Sequence, residues 1–239
     1  SFTAYMDLPN FVNINKLPDN HFFLGPIIWS PETKTNVYTL KERKNLYVSM
    51  GSTGNNSLFP KIIQSAFNNH LNIIISGVNA SEKELLLKTF PELVGRSIIE
   101  NLIPAEKVLP FCKLTICHGG SGTVYQSIES GVPVLCIPKN PDQGLVSLAV
   151  KNKNIGRYIT SNNSEQSSID SMIKECITNE VIQQNVKNMT TELQQWDTKK
   201  HWCQFLARFK TIRKSKKNFA YQENTNEQKT NRIWRFYWN

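Results

Sequence analysis

The sequence lacks the features that mark secreted, disulfide-rich and membrane-spanning proteins. Its five cysteines are odd in number, and no two of them form a CxxC pair. No apolar run is long enough to cross a bilayer, and no secretory signal peptide is recognisable. Cys112, Cys117 and Cys136 stand in apolar surroundings and are interpreted as small core residues. These absences favour a reduced, cytoplasmic setting.

Clustered metal ligands, paired carboxylates and internal repeats are also missing from the sequence. His21, His70 and His201 stand outside any pattern of catalytic residues, and each is interpreted as an ordinary surface or packing histidine. We therefore expect no metal site.

Acidic residues are scarce at the C-terminal end. Residues 199–239 contain eleven Lys and Arg against two Asp and Glu, so this segment carries the whole net charge of +9. Aromatic residues are interleaved with these basic residues, a pattern that occurs in contacts with nucleic acid or an anionic membrane. We favour a solvated, disordered appendage over either binding role. The expectation is a weak peripheral membrane contact at most, and no specific nucleic-acid partner.

From Leu46 onward, short β-rich runs alternate with helix-like segments. The runs are LYVSM, NIIIS, SIIEN, LTIC and VPVLCI, and each precedes a helical pattern. This alternation predicts an α/β fold with a doubly wound, Rossmann-like parallel sheet. NIIIS and VPVLCI contain consecutive apolar residues with no alternation, as expected for strands covered on both faces. NIGRYIT predicts a last short strand, and two helices follow, the first capped by Ser168 or Ser171.

Four segments are expected along the chain. Residues 1–45 contain one strand-like run, HFFLGPIIW, and a polar linker. Residues 46–198 form the Rossmann-like domain, residues 199–213 a basic amphipathic helix, and residues 214–239 a basic tail. The chain begins at Ser1 without an initiator Met, and we expect it to be a piece of a longer protein.

The most distinctive stretch is CHGGSGTVYQSIESGVPVLCIPKNPDQ, over residues 117–143. His118 follows a predicted strand directly, and three glycines beside it permit a tight turn and a close approach of a ligand to the backbone. The N–H groups of residues 121–123 then open a helix, where an anion is stabilised. These features predict a diphosphate site. A glycine turn with a capping hydroxyl and an incidental histidine accounts for them equally well.

Asp142 and Gln143 follow the next predicted strand, GVPVLCIP. In a doubly wound sheet they lie at the same edge as His118, where ligands bind. A carboxylate beside an amide suits bidentate hydrogen bonding to neighbouring sugar hydroxyls. Taken alone, the pair is more often part of a helix cap.

Together these residues form the pattern HxG…GVPxxxxPxxxDQ, which resembles the nucleotide-sugar signature of family-one glycosyltransferases with the GT-B fold. That family includes the UDP-glycosyltransferases of plants and animals and the bacterial macrolide glycosyltransferases. The resemblance covers about residues 23–196 and corresponds to the C-terminal, donor-binding half of such enzymes. It implies transfer of a hexosyl group from a nucleotide-diphosphate sugar, above all a UDP-sugar, to a hydroxyl of a small molecule or lipid. No metal or separate cofactor is implied. Residues 1–45 then represent the end of the N-terminal half and the linker between the halves.

The resemblance also implies a role for each residue of the site. The donor diphosphate would be bound by Gly51, Ser52, His118, Gly120, Ser121, Gly122 and Thr123. The base and ribose would be contacted by Leu102, Ile103, Ala105 and Gln126, and the sugar by Asp142 and Gln143. Plant members have Trp and Gln in place of Leu102 and Ala105, and Glu in place of Gln126. Nucleotide-diphosphate binding is therefore a firmer expectation than a preference for UDP.

The acceptor must also lose a proton to a general base. In this family the base is a histidine near the start of the N-terminal half, and no residue of this sequence corresponds to it. We therefore expect no catalytic residue in this segment and no activity from it alone. Two alternatives stay open. One is a degenerate paralogue that binds a nucleotide sugar without transferring it, and the other is a membrane-associated protein recruited by its basic tail.

Overall fold

Two parallel sheets organise the part of the chain that the structure describes. This computed structural model describes residues 2–12, 14, 16–29, 42–51, 56–160 and 164–210. The strands are β1 (Thr3–Tyr5), β2 (His21–Phe23), β3 (Asn45–Ser49), β4 (Asn72–Ser76), β5 (Ser97–Glu100), β6 (Cys112–Cys117), β7 (Val134–Cys136) and β8 (Gly156–Tyr158). β1 pairs with β2, and the other six strands form one sheet in the order β5-β4-β3-β6-β7-β8. Every pairing is parallel. The predicted doubly wound sheet is confirmed, with NIGRYIT as its last strand.

Helices follow the strands as the alternation requires. They are α1 (Pro9–Val12), α2 (Phe59–Asn68), α3 (Ala80–Thr89), α4 (Ala105–Val108), α5 (Ser121–Glu129), α6 (Pro141–Asn152), α7 (Gln166–Thr178) and α8 (Glu180–Gln195). A further helix, α9, runs over residues 198–210. None of the helices in the described ranges is long and apolar enough to cross a membrane.

The prediction that Ser168 or Ser171 caps the helix α7 is wrong. The helix begins earlier, at Gln166, and Glu165 precedes it in an extended conformation. The side-chain amide of Gln166 donates hydrogen bonds to the backbone carbonyl of Lys61 and to the hydroxyl of Ser65, both on α2. These tertiary contacts, and not a local serine cap, hold the start of the helix.

The four inner strands of the main sheet, β3, β4, β6 and β7, are largely buried because their side chains alternate between two covered faces. Leu46 and Val48 of β3 face a core that α2 and α7 cover, while Tyr47 between them faces the opposite side. The β6 and β7 strands contribute Cys117 and Cys136 to a third cluster beneath α5 and α8. The interpretation of the buried cysteines as core residues is therefore confirmed.

The β1–β2 segment packs against the C-terminal end of the described chain. Phe205 of α9 lies 5.2 Å from Phe22 between ring centroids, and Phe209 lies 5.4 Å from Phe2. The indole of Trp196 donates a hydrogen bond to the carbonyl of Leu24. The basic amphipathic helix expected over residues 199–213 thus has its apolar side on this pair. Residues 211–213, the tail over residues 214–239 and Ser52 lie outside the described residues.

Candidate functional site

The carboxyl ends of the six strands lie in one row. Ser49 of β3 is level with Ser76 on one side and with Cys117 on the other. The row continues through Glu100 at one end and through Cys136 to Tyr158 at the other. The loops that carry the predicted site residues all begin at this row, after β3, β5, β6 and β7. The structure therefore brings those loops to one edge of the sheet, where ligands of doubly wound folds bind.

The turn after β6 is packed against the start of α6. Gly119 has φ of +85°, and a Cβ built on it would lie 2.6 Å from Oγ of Ser147 and 2.8 Å from the carbonyl oxygen of Gln143. A side chain at this position would require both the left-handed backbone and the α6 backbone to change. The lack of a side chain at Gly119 therefore allows the turn that carries His118 to pack directly against α6, the helix that carries Asp142.

The imidazole of His118 lies between two glycine backbones. A Cβ on Gly51 would lie 2.6 Å from Cε1 of the ring, and a Cβ on Gly120 would lie 2.6 Å from Nε2. Gly51 also has φ of +59°, a conformation that favours glycine. The loop after β3 and the turn after β6 thus meet at this ring.

Burial lowers the pKa of the His118 imidazole below its ordinary value, and the nearby carbonyls of Ser49 and Met50 partly oppose that shift. The Nδ1 atom of the ring is buried and has no hydrogen-bond partner among the described residues. A buried polar atom without a partner is unusual and indicates a group that a ligand or neighbouring residue can engage.

The first turn of α5 is open to solvent. Gly120 occupies the N-cap position without a side-chain cap, and Ser121 and Gly122 are exposed while Thr123 is half-buried. Their N–H groups lack partners within the helix because the first turn of any helix leaves its donors free. A Cβ on Gly122 would meet no atom within 4 Å. The helix N-terminus therefore has both the donors and the space for an anion.

Asp142 and Gln143 point in different directions at the start of α6. Asn140 caps this helix by accepting a hydrogen bond from the N–H of Gln143. Gln143 is only 4% exposed, and its Oε1 accepts a hydrogen bond from the N–H of Lys139 over 2.8 Å. Asp142 is exposed. Of the predicted pair, Asp142 is the residue that presents its side chain to solvent.

The residues expected near the base and ribose have distinct surroundings. Ile103 and Ala105 are buried, and the N–H of Ile103 donates to the hydroxyl of Ser76, whereas Leu102 is exposed. Gln126 lies one turn into α5, where its amide donates to the carbonyl of Trp29 over 2.8 Å. Gln126 thus contacts the segment that leads into the linker.

One polar cluster at this edge was missed by the sequence interpretation. Tyr125 of α5 is buried, and its hydroxyl accepts a hydrogen bond from the N–H of Leu8 and donates one to the carboxylate of Asp7. Asp7 and Asp142 both line a cavity of about 500 Å³. Burial raises the pKa of Asp7, as does the charge of Asp142, while the Tyr125 hydrogen bond lowers it. The sequence signal for this cluster was Tyr125 on an apolar helix face, because a buried tyrosine hydroxyl requires a hydrogen-bond partner.

Neither a disulfide nor a metal cluster occurs in the described ranges. The five cysteines are free thiols, and no group of three or more metal-binding side chains comes together among the described residues.

Comparison with known proteins places the chain in a family. Residues 64–198 match the family described as "Erythromycin biosynthesis protein CIII-like, C-terminal domain". The chain is 26% identical over 191 residues to the PGL/p-HBAD biosynthesis glycosyltransferase of Mycobacterium tuberculosis. The aligned region covers 79% of this chain and 43% of that protein.

Two solved structures have the same fold. Spinosyn rhamnosyltransferase SpnG complexed with thymidine diphosphate has a TM-score of 0.66 at 17% identity, over 78% of this chain and 51% of that one. Os79 from O. sativa in complex with UDP and deoxynivalenol-3-glucoside has a TM-score of 0.67 at 17% identity, over 79% of this chain and 49% of that one. The chain therefore spans about half the length of these proteins.

The family match covers more than half of the chain. The resemblance identified in the sequence is confirmed: this chain belongs to the EryCIII-like C-terminal domain family, the C-terminal half of family-one glycosyltransferases with the GT-B fold.

Proposed function

We propose that this chain is the donor-binding half of a glycosyltransferase that transfers a hexosyl group from a nucleotide-diphosphate sugar to an acceptor hydroxyl. The observation that carries the proposal is the meeting of the loop after β3 and the turn after β6 at His118. Gly51 and Gly120 flank its ring, and Gly119 packs its turn against α6. Residues 46–198 are the proposed donor-binding domain. Residues 1–45 are the proposed end of the other half with its linker.

The diphosphate is proposed to lie over the N-terminus of α5. The N–H groups of Ser121, Gly122 and Thr123 and the imidazole of His118 supply donors, and the backbones of Gly51 and Gly120 permit close approach. Ser52 belongs to the same proposed loop. Negative charge builds on the β-phosphate as the sugar leaves, and donors fixed in advance stabilise it without further reorganisation.

The sugar is proposed to contact Asp142 directly, since its carboxylate is exposed at the start of α6. Gln143 is proposed to act beside it, with its Oε1 fixing the loop through Lys139. For the base, the exposed Leu102 provides an apolar surface and the carbonyl of Ile103 an acceptor, with Ala105 behind them. Gln126 is proposed to contact the ribose by exchanging its bond to Trp29 for a hydroxyl.

The nucleotide is proposed to be a nucleoside diphosphate, with UDP ahead of dTDP and GDP. One structural neighbour is described in complex with UDP and another with thymidine diphosphate. The acceptor is proposed to be a small molecule or lipid hydroxyl. The N-terminal Rossmann-like half of the same enzyme is the proposed partner that supplies the acceptor pocket and the general base. We propose a cytoplasmic enzyme, in keeping with its free thiols.

Calorimetric titration of the purified chain with UDP, dTDP and GDP, and with uridine as the control, tests this proposal. We expect a nucleoside diphosphate to bind and uridine to bind at least tenfold more weakly, because the proposed donors meet phosphate. Failure of all three diphosphates to bind would refute a donor site.

A module that binds nucleotide sugars without transferring them is the second candidate. It is favoured by Gln126, which stands where plant members have Glu and whose side-chain amide bonds to the carbonyl of Trp29. Joining the chain to the sequence encoded upstream separates the two candidates. Transfer by the joined protein supports the enzyme, and donor binding without transfer supports the module.

A further inference from the structure

A second cavity, which we term the α9 cavity, lies between the strand β2 and the helix α9. Its volume is about 440 Å³, and its lining also includes Trp196, just before α9. Small-molecule sites in proteins have volumes of roughly 300–1,000 Å³ and combine apolar walls with a few polar groups. The α9 cavity shares no lining residue with the cavity of Asp7 and Asp142 or with the proposed donor site.

Aromatic rings form the walls of the α9 cavity. Phe22 of β2 and Phe205 of α9 lie 5.2 Å apart between ring centroids. The indole of Trp196 is stacked on the imidazole of His201, with 4.0 Å between centroids and 9° between the ring planes. The indole N–H donates to the carbonyl of Leu24, so the position of this stack is fixed. Aromatic walls of this kind accept a flat apolar body by stacking or edge contacts.

The polar groups of the α9 cavity are basic or neutral. Arg208 is exposed, and its guanidinium lies 5.4 Å from the centroid of the Phe22 ring. No ion pair joins Arg208 to a carboxylate among the residues that the structure describes. Nδ1 of His201 donates to the carbonyl of Asp197 over 2.8 Å, and no hydrogen bond from Nε2 to a described residue is found. The described lining contains no Asp or Glu.

These two properties together specify a ligand. The aromatic walls favour a planar apolar body, and a guanidinium without an acidic partner favours an anionic group that can accept its N–H donors. Gln204 also lines the α9 cavity and is exposed, so its amide can donate to the same anionic group.

We propose that the α9 cavity binds a small planar compound with one acidic group, of which an aromatic carboxylate is the simplest example. The planar body lies against Phe22, Phe205 and Trp196, and the acidic group pairs with Arg208 at the exposed side. This site is additional to the proposed donor site and does not depend on it, because the two share no residue.

Calorimetric titration of the purified chain with 2-naphthoate tests the proposal, with the neutral 2-naphthamide as the control of similar shape. We expect 2-naphthoate to bind at one site and 2-naphthamide to bind at least about tenfold more weakly, because the amide lacks the charge that strengthens the hydrogen bonds to Arg208. Arg208→Gln should weaken the binding of 2-naphthoate by about the same factor. Lys210→Gln is the matched control, because it removes the same charge from an exposed position of α9 outside the cavity and should leave binding unchanged.

NMR of the unmodified chain, labelled at its tryptophan indoles, provides a second measurement. The N–H signal of Trp196 should shift on addition of 2-naphthoate, whereas the signal of Trp29, which is 69% exposed and outside the cavity, should not. The proposal is overturned if 2-naphthoate does not bind, if 2-naphthamide binds equally well, or if Arg208→Gln behaves like Lys210→Gln. Displacement of 2-naphthoate by UDP would also overturn it, since the probe would then occupy the donor site.

Discussion

The hydroxyl of Tyr125 bonds to both the N–H of Leu8, over 2.9 Å, and the carboxylate of Asp7, over 3.1 Å, across 117 and 118 residues of sequence. Tyr125 lies on α5, whose N-terminus is the proposed phosphate site, and Asp7 shares a cavity with Asp142 on α6. These two bonds therefore hold the segment before the linker to α5, the helix of the proposed phosphate site.

Tyr125→Phe should destabilise the protein by about 1–3 kcal/mol, because the Leu8 N–H loses its buried acceptor. Denaturant unfolding measures this change. Tyr158→Phe is the matched control, since no hydrogen bond of the Tyr158 hydroxyl to a described residue is found, and it should change stability by less than about 0.5 kcal/mol. Equal effects of the two variants would show that the Tyr125 bonds contribute no stability.

Asp7 should make stability depend on pH. Its pKa is raised in the folded state above the ordinary 3.8, by burial and then by the charge of Asp142. The folded state therefore binds this proton more tightly than the unfolded state, and stability from this group is lost as pH rises through the folded pKa.

Asp7→Asn should consequently be more stable than the unmodified chain at pH 7, and the difference should shrink as the pH falls through the folded pKa and vanish below the ordinary pKa of 3.8. Thermal unfolding across this range, with the exposed Asp19→Asn as the control, measures it. A stability loss at pH 7 would mean that the Tyr125–carboxylate bond outweighs the cost of burial.

Gly51→Ala and Gly120→Ala should each weaken binding of UDP about tenfold or more, because a Cβ at either position would lie 2.6 Å from the His118 ring and force it to move. Gly144→Ala, whose Cβ meets no atom within 4 Å, should bind normally and be stabilised by about 0.5–1 kcal/mol, the usual gain of alanine over glycine in a helix. When His118→Ala is combined with Gly120→Ala, the second substitution should add little. Full additivity would show that the glycine acts independently of the ring.

The isolated chain should bind donor yet transfer no sugar. The proposed donor contacts come from residues 51–143, whereas the acceptor pocket and general base are proposed to belong to the other half. Product analysis with a UDP-sugar and a panel of hydroxyl acceptors measures this. Transfer above the rate of donor hydrolysis would mean that a base lies within these 239 residues.

Local patterns were sufficient to predict the main sheet and the glycine turn. Consecutive apolar residues in a strand run, such as the three isoleucines of NIIIS, indicate burial on both faces, and Gly119 at a strand–helix junction indicates a tight turn. Tertiary relationships were not predictable in this way. β1 is three residues long and pairs with a strand 18 positions later, and Asp7 meets Tyr125 across more than a hundred residues. The start of α7 was misplaced because Gln166 bonds to a different helix.

The most direct test of the central claim is a calorimetric comparison of UDP and uridine on the unmodified chain and on His118→Ala. Imidazole is proposed to contact phosphate, and a hydrogen bond to a charged group contributes about 1.5–3 kcal/mol. His118→Ala should therefore weaken the binding of UDP roughly tenfold to hundredfold and leave the binding of uridine nearly unchanged. His70→Asn, at an exposed histidine with positive φ, should alter neither. Equal losses for UDP and uridine would show that His118 supports the fold and does not bind a donor diphosphate.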